Sequence, residues 1–337
     1  MSAKRPRVKP EIGESRGIFA VRETSGGEVS SSSRTCAKRA VGIHTPAGIE
    51  GVTGAAMERD CAICAGTQAA FHWRTVQSRS LTRCGRCGFA WFAKSQYEDG
   101  AVRQQYLADA TSPAEYYDRI AEHDDATFRI RIRMMTALLG GRPGRVLDAG
   151  CNVGTFLSAA GRAGWTPVGV EPNPQAAKKA RDKGSEVHTG FFEPALAARI
   201  GPFDAVHMGD VIEHVFDPVE MLRTAASALR PGGVLMVVTP DLDSVMARLL
   251  QIKPDEHLIY FTHRSLGLAA QSAGFEDVKV QRWGRRRSMA AMPYSTTFSG
   301  AGKRLVQLVN VPGVRTAVEL TLFHAFKDEL LLTARRP

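Results

Sequence analysis

No run of eighteen consecutive apolar residues occurs in the 337 residues, so a membrane-spanning helix of ordinary length is not expected. The first residues also lack the apolar core of a secretory signal, and a cytoplasmic protein is predicted. Cysteine is scarce, with six in all, and four of them are better explained as metal ligands than as disulfide partners. Two glycine-rich phosphate loops are missing as well. G-x-G-x-x-G would need glycine at positions 152 and 155, where Asn152 and Thr155 stand, which disfavours a nicotinamide cofactor. The same turn has no G-x-x-x-x-G-K-[ST], so a triphosphate cradle has no support there. The overall composition, 44% apolar and 23% charged, is ordinary for a globular protein with a sizeable core.

The most informative stretch is Val146 to Phe156, VLDAGCNVGTF, an apolar strand that runs into an acidic, glycine-bearing turn and then a helix. Gly150 and Gly154 let the backbone turn sharply and approach a ligand, and Asn152 tolerates positive φ despite its Cβ. Three further segments follow in order. Pro167 to Pro172 (PVGVEP) is a strand ending in Glu171, 23 residues after Asp148, where a carboxylate can accept both hydroxyls of a ribose. Phe203 to Val215 (FDAVHMGDVIEHV) and Leu229 to Pro240 (LRPGGVLMVVTP) supply two more strands, the second introduced by a Pro-Gly-Gly turn.

Together these four segments resemble the motifs of class I S-adenosylmethionine-dependent methyltransferases, a resemblance that runs from about Tyr106 to the C-terminus. It implies an α/β fold: a Rossmann-like, doubly wound sheet of seven strands with one antiparallel member. The strands are expected at 145–148, 166–170, 186–188, 205–208, 234–239 and 278–282, with a closing strand at 329–334. The resemblance also implies a cofactor site. Gly150 and Gly154, with Asn152 between them, frame the methionine part of S-adenosylmethionine, Asp148 orients it, and Glu171 holds the ribose. Gly190 and Phe191 lie along the adenine, and Asp210 and Val211 line the remaining side.

Upstream, Cys61, Cys64, Cys84 and Cys87 form C-x2-C-x19-C-x2-C, a spacing that places two thiolate pairs about one tetrahedral ion, with zinc the natural occupant. With all four positions filled by protein, the zinc is expected to be structural, and Phe89, Trp91 and Phe92 to pack a core too small to stand without it. Cys151 reads as a packing residue. The predicted organisation is a disordered extension over 1–56, a zinc ribbon over 57–95, a helical cap over 96–140 and a methyltransferase domain over 141–337 with a basic insertion or lid at about 283–327. Met57 offers an alternative translation start. Between 282 and 337 there are ten Lys and Arg against three acids, a basic face suited to phosphorylated substrates, nucleic acid or anionic lipid. Leu305 to Val311, flanked by Lys303 and Arg304, reads either as a lid helix or as a peripheral membrane contact.

For a base that removes a proton from the acceptor, His257 and His214 are the candidates, because imidazole titrates nearest neutral pH. On a helix, Asp210, Glu213 and His214 would share one face. Ubiquinone-pathway O-methyltransferases, which this segment resembles, carry Glu-x-x-Glu-His there and can use a divalent ion, but a second metal is not expected in this chain. The reading favoured is methyl transfer to a small molecule such as a sugar, glycan precursor or secondary metabolite, on oxygen before carbon or nitrogen. An RNA methyltransferase is the alternative, and a non-catalytic interaction protein with the same fold is the third. Against RNA, Asp210-Val211-Ile212-Glu213 stands where base-directed N-methyltransferases carry an Asn-Pro-Pro-Tyr-like segment. Oligomeric state is not read from the sequence.

Overall fold

The computed structural model describes residues 60–66, 69–98, 100–107, 114–245, 248, 252–284 and 327–337, without the side chains of 114–123. All of these fall within one compact unit, Thr53–Pro337. The expected extension over 1–56 and most of the basic stretch at 283–327, including the segment read as a lid or membrane contact, lie outside the described residues.

In chain order the elements are β1 (Ala70–Val76), β2 (Arg79–Cys84), β3 (Ala90–Phe92), α1 (Ala101–Leu107), α2 (Ala114–Leu138), β4 (Arg145–Ala149), α3 (Thr155–Arg162), β5 (Thr166–Glu171), α4 (Pro174–Asp182) and β6 (Glu186–Thr189). There follow α5 (Pro194–Ile200), β7 (Phe203–Gly209), a 3-10 turn at Ile212–His214, α6 (Pro218–Ala228), β8 (Leu229–Pro240), β9 (Ile259–Tyr260), α7 (His263–Ser272), β10 (Glu276–Trp283) and β11 (Glu329–Arg335). The large sheet has seven strands in the order β10-β11-β8-β7-β4-β5-β6. Only β11 runs against its neighbours, pairing antiparallel with β8 and β10. The expected seven-stranded Rossmann-like sheet is present. Among the described residues no helix is long and apolar enough to cross a membrane.

The central strands are apolar on both faces because helices cover both. Val146, Ala205, Met236, Val238 and Leu331 share one core with α2, α3 and α4 through Met135, Phe156 and Ala180. Leu147, Val168, Val206, Leu235 and Leu332 share the other with α5, α6 and α7 through Ala197, Leu222 and Leu266. Strand order reverses between β4 and β7, and such a switch point opens a ligand crevice at the carboxyl ends of the strands. Local sequence sets the helix starts: the Asn173 side chain accepts from the N–H groups of Gln175 and Ala176, with Pro174 at the first helical position, and Thr262 and Ser265 form a reciprocal capping box on α7.

The small sheet has the order β1-β2-β3-β9. Gln77 and Ser78, both at positive φ (46° and 64°), make the two-residue turn between β1 and β2, as a tight hairpin requires. Its last strand comes from beyond β8, so the ribbon shares a sheet with the segment that follows the central strand. Phe89, Trp91 and Phe92 are all buried as expected, but they pack outward: Phe89 against Phe261 and Phe92 against Tyr260, at ring centroids 5.3 and 6.2 Å apart.

Gly154 illustrates how tightly the crevice is built. It has φ +78°, and a Cβ there would meet the Cβ of Ala180 at 2.8 Å. Replacing it, Gly154→Ala, is expected to lower stability by about 1–3 kcal/mol through left-handed strain and overlap with α4, read as a lower urea midpoint with an unchanged slope.

Candidate active site

The turn after β4 is held from β5. The N–H groups of Gly150 and Cys151 both donate to Val170 O at 2.8 and 3.1 Å. Asn152 takes the predicted positive φ, 47°. Glu171, at the end of β5, accepts from Asn152 N through Oε2 (2.8 Å) and from Asn173 N through Oε1 (2.9 Å). Burial pushes this carboxyl up, and the two N–H donors oppose the shift. Gly190 N donates to Glu171 O at 2.9 Å, which sets Phe191 beside β5, and the Arg103 guanidinium lies 4.0 Å from the Phe191 ring centroid. From the other side of the switch point, Val211 closes on the turn: a Cβ on Gly150 would meet Val211 Cγ2 at 2.6 Å. Asp210, at φ 56°, donates its N–H to Val238 O at 2.9 Å. Asp148, Gly150, Asn152, Gly154, Glu171, Gly190, Phe191, Asp210 and Val211 thus gather at the carboxyl ends of β4, β5, β6 and β7. Burial, before the nearby carboxylates, pushes the Cys151 thiol up, which suits packing and not nucleophilic attack.

Beneath the turn runs a buried polar chain that the sequence did not announce. Parallel pairing places His207 directly beside Asp148, and His207 Nδ1 lies 2.7 Å from Asp148 Oδ1. The carboxylate can only accept, so Nδ1 carries the proton. Nε2 then accepts from Arg131 Nη1 at 3.4 Å, and Arg131 Nη2 reaches Glu329 Oε2 at 3.6 Å. The imidazole is stacked on Phe156, 4.1 Å between centroids and 3° from parallel. The available signal was a histidine inside an otherwise apolar strand and an arginine on the apolar face of a helix.

On the side of β7 and β8, Glu213, His214 and His257 bring one ligand atom each to within 4.8 Å of one another. This differs from the expected face of Asp210, Glu213 and His214. Asp210 sits in the left-handed region and only Ile212–His214 turn as a 3-10 helix, so the i, i+3, i+4 geometry never forms and the third member comes from the 252–262 segment. Thr239 Oγ1 donates to Glu213 Oε2 at 2.9 Å. His214 Nδ1 lies 2.5 Å from Glu256 O and 2.6 Å from Tyr106 Oη. A carbonyl only accepts, so Nδ1 is the protonated nitrogen and Nε2 keeps its lone pair. Burial pulls His214 below its ordinary 6.5, leaving a neutral imidazole with one basic nitrogen. The ring of His257 stands edge-on to it, 5.0 Å between centroids. Tyr106, on α1, was not singled out from sequence because a lone tyrosine in a short helix carries no pattern.

The four ribbon cysteines bring their sulfurs within 4.8 Å of one another, with Cys61 to Cys87 and Cys64 to Cys84 both at 3.6 Å. Arg86 N donates to Cys84 Sγ at 3.4 Å. Four sulfurs converging from two turns, with a backbone N–H directed at one of them, fit a tetrahedral zinc site.

Two outcomes test these assignments. His207→Phe keeps a ring on Phe156 but strips a hydrogen bond from a buried carboxylate, and is expected to cost about 2 kcal/mol in urea unfolding. His214 binds protons more readily unfolded than folded, so its stabilising contribution is present above 6.5 and is lost as pH falls below that value. Unfolding free energy measured between pH 7.5 and 5 should fall less steeply in His214→Gln than in the unaltered chain.

Comparison with known proteins gives a consistent family. The methyltransferase domain family matches residues 109–280, half of the chain. A ubiquinone biosynthesis O-methyltransferase of Caulobacter sp. (strain K31) is 40% identical over 101 residues, 28% of this chain and 40% of that protein. Its counterpart in Xanthomonas axonopodis pv. citri is 34% identical over 116 residues, 33% of this chain and 48% of that protein. The chain therefore spans less than half the length of the curated relatives it matches. Among solved structures, a SAM-dependent methyltransferase from Archaeoglobus fulgidus aligns with 63% of this chain and 94% of its own at 19% identity and a TM-score of 0.45. With the motifs in register along a seven-stranded sheet and the family match spanning the cofactor turn, the chain belongs to the methyltransferase domain family, as its resemblance to class I methyltransferases implies.

Proposed function

We propose that the protein transfers a methyl group from S-adenosylmethionine to an oxygen of a small molecule, such as a sugar, glycan precursor or secondary metabolite. The observation that carries this reading is the charge of the crevice. Asp148 and Glu171 stand buried at the ends of adjacent strands. The nearby cations turn to backbone oxygens, Lys183 to Val153 O and Arg181 to Val187 O. A carboxylate-lined turn suits a cofactor bearing a sulfonium and an ammonium, and repels the phosphates of a dinucleotide. The bound cofactor would supply an electrophilic methyl group on a positively charged sulfur.

The chain supplies position and proton removal. Asp148, oriented by His207, would accept from the amino acid end of the cofactor; Glu171, oriented by two N–H groups, would accept from the ribose; Gly190 and Phe191 would lie along the base. His214 Nε2 would accept the proton of the acceptor hydroxyl as that oxygen takes the methyl group the cofactor would supply, with the carbon–sulfur electrons left on sulfur. His257 and Glu213, whose ligand atoms lie within 4.8 Å of those of His214, would flank the same acceptor. Holding the acceptor in line accounts for most of the acceleration such a site provides. The four ribbon cysteines hold a structural zinc that takes no part in the transfer.

The test is transfer of labelled methyl from S-adenosylmethionine into a cell lysate, followed by separation of small molecules, lipids and RNA. Label among the small molecules supports the reading, label in RNA replaces it with an RNA methyltransferase, and absence of S-adenosylhomocysteine binding points to a non-catalytic protein. With the acceptor in hand, His214→Ala is expected to lower kcat by about 10²–10⁴. In the unaltered enzyme the acid limb of kcat/KM should fall below pH 6.5, because burial lowers the pKa of His214.

A further inference from the structure

We infer that the four-cysteine ribbon is the positioning element of the acceptor side of the site, so that its metal governs the placement of His257 and Glu213 and not the binding of the cofactor. The inference rests on reading Glu213, His214 and His257 as the acceptor side. The stretch 252–262, between β8 and α7, carries His257, and its regular structure is the two-residue strand β9, Ile259–Tyr260. A strand this short gains little from its own chain, and its backbone partners come from the ribbon. Trp91 pairs with Ile259 and Ala90 with Tyr260.

Leu258 is the crosspiece. Its carbonyl accepts from Phe92 N in the ribbon at 2.9 Å, while its N–H donates to Glu213 O at 2.8 Å. The residue next to His257 therefore links the ribbon to the 3-10 turn that carries Glu213 and His214. Three side chains repeat the connection. Thr262 Oγ1 donates to the carbonyl of Cys87, a ribbon cysteine, at 2.9 Å, and Tyr97 Oη donates to Pro254 O at 2.7 Å. Tyr260, whose ring packs edge-on against Phe92, donates its hydroxyl to His257 O at 2.9 Å and accepts from Lys253 N at 3.1 Å. Thr262 also presses on Gly88, where a Cβ would meet its Cγ2 at 2.8 Å. The turn that bears Cys87 and the start of α7 fit together without spare volume. The cofactor turn, in contrast, hangs on β4, β5 and β7 through Val170, Glu171 and His207.

The ribbon joins the main core on one side only, through Phe89 and Phe92, and the turns that carry its cysteines depend on the ion for their order. Losing the ion should therefore release 253–262 and leave β4 and β5 intact. The experiment compares the full chain with zinc bound and after zinc removal by mercurial titration, with release followed by a chromogenic chelator. The readouts are amide hydrogen exchange and affinity for S-adenosylhomocysteine. Zinc removal is expected to speed exchange at 254–262 by about tenfold or more while 145–149 and 166–171 keep their protection, and to change cofactor-product affinity by less than about threefold. Tyr97→Phe, which keeps the ring and the cysteines, should raise exchange at 253–258 by about fivefold with zinc content unchanged, the effect of one lost hydrogen bond. Unchanged protection at 254–262 on zinc removal, or equal loss at β4 and β5, overturns the inference. Failure of the zinc-loaded protein to bind S-adenosylhomocysteine would instead remove the methyltransferase reading, with the exchange result still deciding the structural link.

Discussion

Burying the carboxylate of Asp148 at the end of β4 is the constraint around which the sheet is organised. A carboxylate placed there is costly unless it is hydrogen-bonded and its charge is met, and the response recruits distant parts of the chain. His207 on β7 donates to it, Arg131 on α2 donates to His207, and Glu329 on β11 faces Arg131. The first strand of the nucleotide fold, the strand across the switch point, the long helix and the antiparallel strand are thereby joined through four side chains in the interior. Phe156, the first large apolar residue of α3, covers the imidazole and dries the chain. Arg131 meets Glu329 directly and Asp148 only through His207, so no cation contacts the Asp148 carboxylate in this chain of side chains.

The other half of the site is built differently. His214 and His257 are not set by the central sheet but by carbonyls, a tyrosine hydroxyl and a peptide link in irregular chain. Irregular backbone at a site needs an outside partner for its N–H and C=O groups, and here the ribbon supplies it through β3. This explains a feature of the ribbon that would be odd in an independent module: its aromatic residues face Tyr260 and Phe261 rather than one another alone. A small four-cysteine sheet and a two-residue strand complete each other's hydrogen bonds and each other's cores.

Legibility followed the range of the interactions. The strands were readable because buried parallel strands are mostly apolar, and Val234 to Val238 is an unbroken apolar run while Val146 to Ala149 and Ala205 to Met208 are each interrupted by one polar residue, Asp148 and His207. The cofactor turn was readable because Gly150, Asn152 and Gly154 occupy the left-handed conformations that their residue types allow. The convergence of the four cysteines was readable from spacing alone. Asp210, Glu213 and His214 misled for a local reason: their spacing is helical, but the left-handed turn at Asp210 starts the chain in another direction and leaves a single 3-10 turn.

Residue type and spacing within a short window were enough for the individual strands, the cofactor turn and the four sulfur ligands, while the single reversed strand came from the resemblance to class I methyltransferases. The tertiary structure decided what depends on register and on chains meeting from afar. It set His207 against Asp148, paired Arg131 with Glu329, and brought His257 to His214 across 43 positions of sequence. It also gave the last strand of the ribbon sheet to β9. Such contacts carry no periodic signal, because the free energy that selects them comes from satisfying buried polar groups after the hydrophobic layers have closed.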